Sequence, residues 1–101
     1  GFGHWPVLRD KIMANACPRR QPHITSRKAG EMTILYRSDD CSDLLRINET
    51  ATHVWHLCNG RHSIHAIGGS LSAHFDVPLS QGIKDAVFVI GVFRQHGLVE
   101  I

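Results

Sequence analysis

No run of about 18 apolar side chains occurs in this 101-residue chain, the length a helix needs to cross a bilayer. The charged start, long apolar core and cleavage site of a secretory signal are missing as well, so the first residues read as an appendage to a cytoplasmic protein. Cysteine is scarce. Cys17, Cys41 and Cys58 are odd in number and widely spaced, which supports neither a disulfide framework nor a CxxC metal or redox site. Glycine-rich phosphate loops are lacking, because Gly68-Gly69 has no following lysine. There is also no strand-turn-helix elbow that would set a base beside a serine or cysteine nucleophile. Histidine, by contrast, is plentiful. His53 and His56, at i and i+3, precede Cys58, His62 and His65, yet no second ligand pair has the spacing of a zinc site. These absences predict a protein that is not an enzyme and carries no metal or other cofactor.

What is present is enough for one small core. With 43% hydrophobic and 20% charged residues, a chain of this length forms a single globular domain. Its charge is uneven: residues 1–28 hold Arg9, Lys11, Arg19, Arg20, Arg27 and Lys28 against Asp10 alone, a balance of +5, whereas residues 29–101 carry five basic and eight acidic side chains, or −3. Residues 1–22 read as a weakly structured basic arm, either simply solvated or attracting an acidic partner, with VLRDKIMANA able to make two helical turns. Residues 23–101 form the domain.

The stretch Ile47 to Gly60 is the organising element. Ala51, Val54, Trp55 and Cys58 share one helical face, and Glu49, Thr52, His53, His56 and Asn59 the exposed one. Asn48 is a helix N-cap and Gly60 a left-handed stop. Upstream, HITSRK, MTILYR and DLLRI read as three short strands joined at Ala29-Gly30 and Ser38–Ser42, most economically an antiparallel meander. In the last strand Leu45 and Ile47 are expected on one face, Leu44 and Arg46 on the other. Downstream, Ser63 caps a helix carrying Ile64, Ile67, Leu71 and Phe75, weakened by Gly68-Gly69. A third helix runs from Ser80 to about His96, with Gly97 as its stop and Leu98–Ile101 extended beyond. Its segment Ala86–Phe93 (AVFVIGVF) has no polar side chain, so a buried strand competes, but SQGIKD and RQHG supply helix start and stop signals. As a helix it buries Ala86, Val89, Ile90 and Phe93, leaving Phe88 and Val92 beside Lys84 for the sheet, a second subunit or a ligand to cover.

Three strands followed by three helices outline a winged-helix-like α+β domain, and winged helices commonly bind DNA. Here the last helix sets Phe88 and Val92 among its outward residues, a poor match to an anionic groove, while the basic side chains lie in the arm. A structural or dimerisation module is a further alternative.

The residues also carry a family likeness. Ile47-Asn48-Glu49-Thr50-Ala51, Trp55, Gly60, Asp85 and Gly97-Leu98, in that order and spacing, resemble the PqqD family of peptide chaperones, recognition elements for ribosomally made and modified peptides. The resemblance covers Ile34 to Glu100; Asn59 and Ala86 depart from the family's usual Asp and Val, and Gly82 and Gly91 from its better helix formers. It implies a protein without a reaction of its own, whose partners are the leader of a precursor peptide and a radical S-adenosylmethionine enzyme, as in pyrroloquinoline quinone biosynthesis. It further implies that the leader adds as a strand along Leu44, Leu45, Arg46 and Ile47, with Lys84, Asp85, Phe88, Gly91 and Val92 facing its side chains. An open edge beside an apolar flank would also admit a homodimer, including a strand-exchanged one.

Overall fold

The computed structural model describes residues 15–101; the helical turns expected in VLRDKIMANA lie almost wholly outside them. A three-stranded antiparallel sheet in the order β2-β3-β4 is formed by β2 (Ile24–Ala29), β3 (Met32–Arg37) and β4 (Asp43–Ile47). Pairing of Ala29 with Met32 leaves only Gly30 and Glu31 in the first turn, one residue later than expected, and Gly30 takes φ +66° as such a tight turn requires. Strand β3 has neighbours on both sides, and Thr33, Ile34 and Leu35 are all buried, so the half-buried alternation expected of it is replaced by a strand covered on both faces.

Three helices follow: α1 (Glu49–Leu57), α2 (Ile64–Phe75) and α3 (Leu79–Gln95). The expected caps are in place, since Asn48 Oδ1 accepts from the Ala51 amide at 2.9 Å and Ser63 Oγ from the Ala66 amide at 3.0 Å. Apolar AVFVIGVF is helical, and Ala86, Ile90 and Phe93 are wholly buried, with Val89 packed beside them. The end of α1 differs from expectation. The helix stops at Leu57, Cys58 occupies the cap, and Gly60, at φ +81°, turns the chain two residues further on.

That early end is stabilised from far away in sequence. A short ribbon joins β1 (Arg19–Arg20) to β5 (Val99–Glu100), pairing Arg19 with Glu100 and Arg20 with Val99. From β1 the Arg20 guanidinium reaches the last carbonyls of α1, donating to Trp55 O at 2.8 Å and His56 O at 3.1 Å, and lies over the Trp55 ring. A cation suits the negative end of a helix. Main-chain bonds from Arg20 to Cys58, Gly60 to Pro18 and Ile64 to Ala16 complete the stitching, and the Pro18 side chain is fully buried. Residues 16–21 are thus fastened to α1, α2 and the end of the chain by these bonds.

One core unites these parts. Leu35 and Ile47 of the sheet meet Val54, Trp55, Ile64, Ile67, Leu71, Ile90 and Phe93 of the helices, together with Leu98 and Val99. Trp55 and Phe93 pack edge to face, 5.4 Å between centroids. Helices α2 and α3 cross so closely that a Cβ on Gly68 would stand 2.6 Å from the Ile83 Cα, and one on Gly82 would run into the Gly68 carbonyl. The glycines that weaken both helices locally are therefore what lets them pack.

Candidate functional site

Strand β4 closes one side of the sheet, so its main-chain groups turned away from β3 have no strand partner among the described residues. Tyr36 pairs with Asp43 and Leu35 with Leu45, which leaves Leu44 as the extra residue of a β-bulge. The bulge turns Leu44 toward the same side as Leu45, and both pack against the core. This corrects the expected placement of Leu44 and Arg46 on a common face. It has a second effect. Asp43 and Arg46, three residues apart, would face opposite ways in a regular strand, yet here they join Ile34 and Tyr36, their β3 partners, on the outer face.

Ile34, Asp43, Leu44, Leu45 and Arg46 line a surface groove of about 260 Å³ along this edge. Ile34 is buried without being part of the main core cluster. On the outer face Arg27 Nη2 lies 3.7 Å from Asp43 Oδ1, and its guanidinium sits over the Tyr36 ring. The loop feeding β4 is internally satisfied. Arg37 donates to both Asp39 oxygens, at 2.7 and 3.1 Å, and this bond holds the Asp39 carboxyl down at about 2. Asp40 accepts from the Ser42 hydroxyl and amide, which lowers its pKa too, and Cys41 between them takes a left-handed φ of 60°. Arg46 and Lys84, by contrast, make no ion pair among the described residues.

The residues expected on α3 do not line this groove. Gly82, Ala86, Ile90 and Phe93 mark its buried face, and Phe88, on the opposite face, is 71% exposed. Lys84 is exposed as well, Asp85 accepts from Gln81 Nε2 at 2.8 Å, and Val92 is half-buried. A Cβ on Gly91 would meet nothing within 4 Å, so no packing inside the domain calls for a glycine there. The structure thus gathers Leu44, Leu45 and Arg46 at the groove with Ile47 buried next to them, while α3 contributes no side chain to its lining. Ile34 and Asp43 are the lining residues that sequence reasoning missed; a bulge leaves no periodic signal by which to find them.

Two other groups of reactive side chains have structural surroundings. Cys58 is wholly buried, and burial pushes its thiol up to about 12, so it packs as a small apolar group. His53, expected on the exposed face of α1, is half-buried against α2. Its Nε2 lies 2.8 Å from Ser70 Oγ, and its ring stacks on His74 with centroids 4.5 Å apart. Burial, and then the neighbouring His74 and His56, lower its pKa. No group of three or more His, Cys, Asp or Glu residues is arranged to hold a metal among the described residues.

A small three-stranded sheet, its β4 edge bulged and without a strand partner among the described residues, backed by three helices that share its core, defines an α+β domain. The chain belongs to the PqqD family: the model of coenzyme PQQ synthesis protein D (PqqD) matches residues 31–99, from the first sheet turn to β5. Solved structures share the fold. A lasso peptide synthetase B1 complexed with the leader peptide superposes with a TM-score of 0.69 at 16% identity, covering 85% of this chain and 100% of that one. TbiB1 in complex with the TbiA(beta) leader peptide gives 0.66 at 12% identity, covering 81% and 94%. No curated protein matches the chain.

Proposed function

We propose that this protein is a non-catalytic chaperone that binds the leader of a ribosomally made precursor peptide as an added strand along β4 and presents it to a modifying enzyme. The observation that carries this reading is the groove of Ile34, Asp43, Leu44, Leu45 and Arg46 beside an unpaired edge. Main-chain hydrogen bonds to such an edge supply affinity, and alternate side chains supply selectivity. The exposed Phe88, with Val92, Lys84, Asp85 and the open Gly91, then forms a second wall that meets the peptide once it is seated. Membership of the PqqD family and the leader-bound state of both structural neighbours support the reading. The partner enzyme is a radical S-adenosylmethionine protein, whose iron-sulfur clusters stay with it, and the pathway is pyrroloquinoline quinone biosynthesis or that of another modified peptide, in the cytoplasm. Without peptide, the same edge accepts a second copy of the chain.

The test is an NMR titration of labelled protein with leader peptides and, separately, with duplex DNA at physiological salt. Shifts at Leu44–Ile47 and Lys84–Val92 on adding peptide, and none on adding DNA, are expected. Shifts from DNA alone would move the protein to the DNA-binding winged helices.

A further inference from the structure

The bulge at Leu44 imposes a charge pattern on β4 that a regular strand would not have. It turns two neighbouring leucines, both half-buried, toward the core side and leaves Asp43 and Arg46 together on the outer face. Asp43 has a partner there in Arg27, at 3.7 Å. Arg46 has none among the described residues, although it lines the groove, pairs with the buried Ile34 and is exposed. Among the described residues, the open edge therefore carries one uncompensated positive charge at a fixed register position, between Leu45 and Ile47, which point the other way.

A strand laid against this edge would continue the alternation of the sheet. Its residue opposite Arg46 would share the outer face, and the residues on either side would turn inward, to the apolar side of Leu45 and Ile47. Opposite charges on directly facing strand residues attract, and like charges repel. We infer that the β4 edge selects peptides with an acidic residue between two apolar ones, the carboxylate meeting Arg46 and its neighbours meeting the side of Leu45 and Ile47. The pattern reads alike in both directions, so it holds for a parallel or an antiparallel strand. The inference rests on the strand-addition reading above and names the substrate class for that site.

A random nonapeptide display library, selected on the full chain and on Arg46→Glu, tests it. Arg46 is exposed, so the variant keeps its fold, which circular dichroism checks. The wild type should enrich apolar-acidic-apolar peptides, and Arg46→Glu should lose them in favour of lysine or arginine at the central position. An enriched peptide should bind the wild type about two- to fivefold tighter than its counterpart with glutamine there, the range expected of one facing charge pair. That advantage should vanish in Arg46→Glu. Enrichment of the same peptides by both proteins, whatever the central charge, would overturn the inference and leave strand addition standing. A library from which neither protein enriches any peptide would overturn both.

Discussion

The crossing of α2 on α3 and the free edge of β4 lie in one small domain and are built on opposite plans. At the crossing the backbones of Gly68 and Gly82 touch, and not even a methyl group fits between them. At the edge the strand is bulged, grooved and, among the described residues, without a strand partner. Helix α3 shows the contrast within its own length, since Gly82 is wedged against backbone and Gly91 faces open space. The same residue type thus reports a tight contact at one position and a vacant surface nine residues later. The helical layer is closed down to backbone contact, whereas the outer edge of β4 is left without a strand partner among the described residues.

Substitutions in the two regions should separate accordingly. The largest effect belongs to Gly82→Val, which forces the helices apart and should cost on the order of 1–3 kcal/mol, or roughly 4–8 °C in Tm for each kcal/mol. Gly91→Ala, in the same helix, should instead stabilise by about 0.5–1 kcal/mol, because alanine is the better helix former and meets nothing there. Thermal melts of the pair decide it, and a matching loss at Gly91 would show a contact that the contrast denies. Next in size is Arg20→Ala, which strips two carbonyls at the end of α1 of a charged donor and, since they stay partly open to water, should cost about 1–1.5 kcal/mol by denaturant titration.

Phe88→Asp carries the comparison to the open side. Its side chain is 71% exposed, so the melting curve should change by no more than about 0.5 kcal/mol. Leader-peptide affinity should nonetheless fall by roughly tenfold or more if the side chain anchors the ligand. Unfolding in place of weakened binding would put Phe88 in the core. The smallest effect is a pH dependence at His53. Its folded pKa lies below 6.5, so the folded state resists protonation more than the unfolded chain does. Its contribution to stability is complete above that value and is lost as pH falls through the lower folded pKa. The Tm should therefore drop on acidification from about pH 7.5 to 5, and His53→Asn should flatten the decline.

Much of this architecture was legible from local chemistry. Asn48 and Ser63 announce their helices because a cap is a contact within four residues, and Val54, Trp55, Ile90 and Phe93 follow the helical period that buries them. What escaped depends on partners remote in sequence. Two residues are too few for a period, so the ribbon of Arg19–Arg20 with Val99–Glu100 had no signature, and Arg20 looked like one more charge in a basic arm. Gly68 and Gly82 looked like weak points because the reason for them stands on the opposite helix. At the candidate site, Leu44 to Ile47 were recognisable by family likeness, but the bulge that reassigns Leu44 follows from register with β3.

The ribbon between β1 and β5 has a mechanical consequence. Arg19 and Glu100 face each other across the same pair of strands, near the two ends of the domain. A pull on both ends would load the ribbon one hydrogen-bonded pair at a time, as a zipper is opened, and would not shear all of its bonds together. Tension passed through the flanking chain would first draw Ala16 from Ile64 and Pro18 from Gly60, then peel β1 away and withdraw Arg20 from the end of α1. The sheet edge and its groove lie beyond that sacrificial link.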